Sequence, residues 1–217
     1  MRYRVREDLF YCRVSNHIVF LDLSADRYFA LQPGKAAQFD RLLSNGADGP
    51  EGEKMASRFV RQNILVESDA GEQPPPFSLD SFHTVVNPGG SAPPARRRLT
   101  ALIALIHWRT RYRLNGLPGV TRRYRHLGRS TMVKRAAPAG EIIAAFSWAE
   151  QVVTAHDHCV PRSLALASAL RASGHRPTVV IGVQLRPFAA HCWVQLGAAI
   201  ANDQLDTIRP YTPILAI

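Results

Sequence analysis

The chain has 217 residues, of which 46% are hydrophobic, and its 27 Lys and Arg outnumber its 17 Asp and Glu to give a formal charge of +10. That apolar content is typical of a globular protein and excludes a disordered one, and no uncharged apolar run approaches the roughly 18 residues of a membrane span. MRYRVREDLF at the start has charges where a secretion signal needs an apolar stretch, so a cytosolic protein is expected, and the odd set Cys12, Cys159 and Cys192 excludes a disulfide framework.

Residues 1–68 read as one unit. HIVFLDLSADRYFAL, residues 17–31, holds two β-rich runs joined by the turn formers Ser24, Ala25 and Asp26, which predicts a hairpin. PGKAAQFDRLL then opens on Pro33 and Gly34, spaces Ala37, Phe39, Leu42 and Leu43 at helical intervals, and stops at SNGADGP. A second helix is expected over residues 51–63, EGEKMASRFVRQN, carrying Met55 and Phe59. Strands first and helices after are the order of a small winged-helix domain.

Residues 69–95 are rich in proline and lack periodicity, so a linker is expected there. Beyond it, residues 96–217 predict an α+β domain. Its first helix carries Leu99, Leu102, Ile103, Leu105 and Ile106, its second spans AGEIIAAFSWAEQVVTAH, and its third begins near Cys159. The strands TVVIGVQL, HCWVQL and AAIAND follow and imply an antiparallel sheet. The charge is concentrated in residues 81–140, where Arg96, Arg97, Arg98, Arg109, Arg111, Arg113, Arg122, Arg123, Arg125, Arg129, Lys134 and Arg135 meet no acid at all. Without a helix-turn-helix or RNA-binding signature, nucleic acid is not the expected partner of this patch, which reads as a protein-docking face or a solvated surface.

The chemistry centres on HDHCVPRSLAL, residues 156–166. Pro161 is tolerated only in a first helical turn and so sets the helix start near Cys159. A thiol there meets unpaired backbone N–H groups and the positive end of the helix dipole, which favour thiolate and can also hold an oxyanion. The candidate bases are His156, His158, His175 and His191. His191 is best placed, because it begins a strand that comes after the cysteine helix, and Asp203 or its rival Asp206 is in position to orient the imidazole. Each residue alone also has a structural reading, the cysteine as a buried thiol and the histidine as a hydrogen-bonding partner. His156, His158 and Cys159 make a weak ligand pattern with no second cluster, so neither a metal nor a cofactor is expected. Cys12 and Cys192 read as core residues.

From Cys159 to the C-terminus, CVPRSLALASALRASGHRP, IGV, PF, HCWVQL and the following ND resemble the lasso-peptide biosynthesis B proteins. The resemblance implies a transglutaminase-like, papain-related cysteine protease domain with Cys159, His191 and Asp203 as catalytic residues. Cys192 and Gln195 depart from the family's usual Ala and Glu. DRYFAL with the following PG resembles the winged-helix element that recognises precursor peptides in related pathways. It implies that a leader peptide adds as a strand along Asp26, Arg27, Tyr28, Phe29, Ala30 and Leu31. The leader would also lie against the second helix, at Lys54, Met55, Arg58, Phe59 and Arg61. The implied activity is removal of the leader from the core peptide, and the implied partner is an asparagine-synthetase-like, ATP-dependent cyclase. Acyl transfer to an amine, and non-catalytic escort of a peptide, are the alternatives.

Overall fold

The structure is a computed structural model that describes residues 2–68, 84–86, 92–127, 137–153 and 159–217, and the chain divides into two units, Met1–Ser78 and Leu79–Ile217. Both mix helices and strands. In the first unit β1 (Tyr3–Val5) precedes an antiparallel meander of β2 (Leu9–Val14), β3 (His17–Asp22) and β4 (Arg27–Leu31), with β4 at its edge. Two helices follow, α1 (Pro33–Asn45) and α2 (Gly49–Arg61), and β5 (Leu65–Glu67) returns to pair with β1. The hairpin expected over residues 17–31 is β3 with β4, in which Phe20 faces Phe29 with the rings stacked 4.9 Å apart. Phe39 of α1 meets Phe20 at 5.3 Å and Phe59 of α2 at 5.7 Å, so one aromatic column ties the sheet to both helices.

Three details depart from the sequence reading. α2 starts at Gly49, inside the stretch taken as a stop, because Pro50 occupies the first helical turn, where its fixed φ is already helical. α1 buries Ala36, Phe39 and Leu42, while Ala37 faces solvent. The strands β1 and β5 were not foreseen, since three residues are too few for alternation to show.

The β3–β4 turn is anchored by Asp22, whose side chain is 4% exposed and pairs at 2.6 Å with Arg6, itself 13% exposed. Asp22 also accepts hydrogen bonds from the Ser24 hydroxyl at 2.8 Å and the Ala25 N–H at 3.1 Å. Burial alone would raise the carboxyl pKa, but these bonds and the Arg6 charge outweigh it and hold Asp22 at about 2. Asp22→Ala leaves the part-buried Arg6 without its anion and is expected to cost the first unit about 1–3 kcal/mol in a urea titration. Because the folded pKa lies below the unfolded value of roughly 3.9, the stabilisation is complete above that pH and is lost as pH falls through about 2. A urea midpoint unchanged by the substitution would count against this anchor.

The second unit contains β6 (Thr84–Val85), α3 (Ala95–His126), α4 (Ala139–Val152), α5 (Cys159–Ala172), β7 (Pro177–Leu185), β8 (Phe188–Leu196), β9 (Ala199–Ile200), α6 (Leu205–Ile208) and β10 (Thr212–Ala216). The strands order as β10-β7-β8-β9-β6. Four of them run antiparallel in sequence across the sheet, but β6 pairs parallel with β9. β6 also falls within residues 69–95, so part of the expected linker is a strand of this unit. The buried side chains Leu164, Ala165, Leu166, Ala167 and Leu170 leave α5 apolar on nearly every side, as suits a helix enclosed by α3, α4, β7 and β8.

α3 corrects a second expectation. Leu105 is buried, but Leu99 and Ile103 are each 58% exposed and Ile106 is 51% exposed. The face turned inward is instead Ala101, Leu105 and Trp108. Both lines have helical spacing, and the tertiary fold selects the one whose small alanine admits a close neighbour. The helix breaks at Gly116, where φ is 61°, and resumes with Pro118 in its next turn to bury Val120 and Tyr124. Among the described residues no helix is long and apolar enough to cross a membrane.

Candidate active site

Cys159 is the first residue of α5, a half-buried free thiol at the helix N-terminus. His191, expected to begin its strand, is instead the fourth residue of β8, which starts at Phe188, and lies opposite Gly182 of β7. Its Nε2 donates to Oδ2 of Asp203 at 2.6 Å, and its ring is in hydrogen-bonding reach of the Cys159 thiol. With Nε2 engaged, Nδ1 is the nitrogen left for sulfur. The structure thus brings Cys159, His191 and Asp203 together. Asp203 was expected in a strand, but β9 ends at Ile200 and the carboxylate comes from the turn beyond it. The rival Asp206 is on α6, 90% exposed and paired with Arg209. His175 is also elsewhere, with Nε2 2.7 Å from the Ala137 carbonyl. His156 and His158 lie outside the described residues.

The electrostatics follow from these contacts. The hydrogen bond to Asp203, and then the one to Cys159, raise the His191 pKa to about 9, although burial opposes the shift. Burial would raise the Asp203 pKa, but the His191 bond, the Gln204 N–H and the Arg162 charge bring it below the usual carboxylate value. Near neutral pH the site therefore holds an imidazolium between a carboxylate and the Cys159 sulfur, with a proton ready for a leaving group. By contrast, burial raises the pKa of Cys12 to about 12 and that of Cys192 still further, so neither is a ready nucleophile.

Several supporting residues had no role assigned from sequence, although Arg162 and Ser163 stand in the quoted CVPRSLAL and Asn202 in the quoted ND. Asn202 accepts from the Val194 N–H at 2.8 Å and donates to Ser163 Oγ at 3.0 Å, while Ser163 donates to the Cys192 carbonyl at 2.9 Å. This chain fastens α5 to β8 directly behind the thiol and imidazole. Arg162 bridges Asp203 at 3.1 Å and Glu150 of α4 at 3.6 Å. A helix position one turn past Cys159 was the available signal for Arg162, but Asn202 and Asp203 are 40 and 41 residues away in sequence and Glu150 lies on another helix.

The ring of His191 rests between Tyr211 at 5.3 Å and Trp193 at 6.3 Å. Gly182 makes that possible, since a Cβ there would stand 2.8 Å from two Trp193 ring atoms and 3.0 Å from the Tyr211 Cβ. Gly182→Ala is expected to cost about 1–3 kcal/mol through overpacking and to slow any reaction that depends on His191, because both displaced rings flank it. Thermal denaturation beside an assay of the thiol chemistry checks this. A variant as stable and as active as the parent would mean that the β7–β8 pair has slack.

In the first unit, Arg27 and Ala30 on the edge strand β4 are exposed, Tyr28 and Phe29 are half-buried, and Asp26 sits in the preceding turn with φ 49°. Lys54, Arg58 and Arg61 of α2 are exposed and Met55 is half-buried. Leu31 and Phe59 belong to the core and present no side-chain surface to a ligand. Among the described residues no group of three His, Cys, Asp or Glu is arranged to hold a metal ion.

No curated protein and no solved structure matches the chain. A protein-family match does exist, to the transglutaminase-like superfamily over residues 102–216. It covers just over half of the 217 residues and runs from α3 through α5, β7 and β8 to β10, taking in every residue of the thiol, imidazole and carboxylate cluster. By that match the chain belongs to the transglutaminase-like superfamily, whose fold is typically that of cysteine-protease-like enzymes.

Proposed function

We propose that this chain is a leader peptidase of lasso-peptide maturation, in which a winged-helix first unit binds the leader and the second unit cuts it from the core peptide. The observation that carries the reading is the convergence of Cys159, His191 and Asp203 at the start of a buried helix. The sulfur of Cys159 attacks the carbonyl at the leader–core junction, and backbone N–H groups at the α5 N-terminus stabilise the oxyanion. Collapse breaks the C–N bond as His191 passes its proton to the departing amine, which becomes the new α-amine of the core peptide. Water, deprotonated by His191, then hydrolyses the thioester and releases the leader as a carboxylate, returning the thiol.

Recognition is assigned to the edge strand β4, whose outer side suits β-augmentation, and to the exposed cations Lys54, Arg58 and Arg61 of α2. Holding recogniser and protease in one chain raises the local concentration of the scissile bond. The proposed partner is an asparagine-synthetase-like, ATP-dependent cyclase that consumes the freed amine. The exposed Arg122, Arg123 and Arg125 offer it a basic docking face.

Mass spectrometry of a precursor incubated with the chain and such a cyclase tests the reading. The expected products are a leader with a free carboxylate and a core shortened at its N-terminus. An isopeptide-linked product would instead support acyl transfer to an amine, and an untouched precursor would support escort. By calorimetry a fragment of residues 1–78 should keep the affinity of the full chain for the leader. Binding confined to residues 79–217 would overturn the recognition half of the proposal.

A further inference from the structure

Arg162 follows Cys159 by three residues, one turn along α5, and its guanidinium spans three groups from other parts of the second unit. Its Nη2 donates to Asp203 Oδ2 and to the Asn202 carbonyl, each at 3.1 Å, and its Nη1 lies 3.6 Å from Glu150 Oε2 on α4. The oxygen it takes on Asp203 is the one that accepts from His191 at 2.6 Å. Two cationic donors therefore share one oxygen, in a place where the side chains of Arg162, Glu150 and Asp203 are 21%, 20% and 9% exposed. Screening by solvent is weak there.

We propose that Arg162 is a positioning residue of this site, which draws on the same carboxylate oxygen as His191 and so limits how firmly His191 keeps its proton. The inference rests on the reading of Cys159, His191 and Asp203 as a working set. Among the described residues, the titratable or charged groups around His191 are Cys159 and Arg162 from α5, Asp203 from the turn after β9, and Tyr211 from the segment before β10. Glu150 of α4 stands behind Arg162, and Cys192 is next on the strand itself. With Arg162 present, two carboxylates face two cations. Without it, His191 is the one cation on Asp203, and its proton becomes harder to release to a leaving amine. Burial pushes the Glu150 pKa up and Arg162 pulls it down, so losing Arg162 raises it further, which can reduce the effect but not reverse its sign.

The rate of iodoacetamide labelling of Cys159 in the full chain, followed against pH by mass spectrometry, reads this directly and needs no knowledge of the substrate. Cys12 and Cys192 are buried, and Cys159→Ala supplies the blank. The parent profile should inflect near about 9, where His191 loses its proton. Arg162→Gln should move that inflection up by about one pH unit, and Arg162→Lys, which keeps the charge, should bring it back toward the parent value. Glu150→Gln should move it down, since Arg162 then gives its charge wholly to Asp203. That variant carries the test if Arg162→Gln fails to fold. An inflection unmoved or lowered in Arg162→Gln, or raised in Glu150→Gln, overturns the proposal. A parent Cys159 that labels no faster than a buried thiol would instead overturn the working set on which it rests.

Discussion

Replacing Cys159 with alanine should lower turnover of an activated ester by on the order of 10⁴-fold or more, because no other described thiol can act as the nucleophile. Cys12 and Cys192 are buried, and burial raises the pKa of both. His191→Ala should be about as harmful, since thiol and imidazole act as a unit and removing either leaves little for the other to do. An ester is a suitable probe because it demands only acyl transfer through sulfur and so separates the chemistry from any question of peptide sequence. Under the proposed function, leader binding should survive both substitutions, since the residues to which recognition is assigned belong to the first unit. Substantial ester turnover by the alanine variant at position 159 would falsify the assignment of the nucleophile.

Asp203→Asn should be milder at its optimum, with a loss of roughly 10²-fold, because the carboxylate orients and charges the ring but transfers no proton. Its larger signature is in the pH profile. His191 works as an acid only while protonated, so parent activity should fall as pH rises through about 9. The first cause of that raised value is the bond to Asp203, and a neutral amide should move the alkaline limb down by about one to two pH units toward the ordinary histidine value. Stability follows the same sign. The folded pKa of His191 exceeds its unfolded value, so its contribution is complete below about 6.5 and is lost as pH rises through about 9. An alkaline limb that stays in place in Asp203→Asn would show that the limb belongs to another group.

Local rules account for what was legible in the chain. Ser24, Ala25 and Asp26 between β-rich runs specify the β3–β4 hairpin through turn chemistry, and Pro161 pins the start of α5 because it cannot sit deeper in a helix. Cys159 at that start and His191 on a later strand were identifiable for the same reason, since each depends on its own element. Their convergence with Asp203 depends on the β7–β8 register, which sets His191 opposite Gly182, and on the turn after β9. Tertiary structure also chose Asp203 over Asp206, two positions with the same chemistry three residues apart, by folding one against the ring and leaving the other in solvent.

Other features belong to the fold alone. Helical spacing in α3 offers two apolar lines, and only the neighbours α4 and α5 determine that Ala101, Leu105 and Trp108 turn inward. The strands β1, β5 and β6 are two or three residues long, and they exist because partners distant in sequence satisfy their backbone groups. Arg162 and Asn202 owe their roles to partners brought close by folding, from α4, β8 and the turn beyond β9. The sequence by itself determined the helix start, the hairpin and the kinds of group available for chemistry, because those depend on neighbours along the chain. Which of those groups touch, and with what protonation, was decided by the tertiary structure, since both depend on distance and burial that no local pattern encodes.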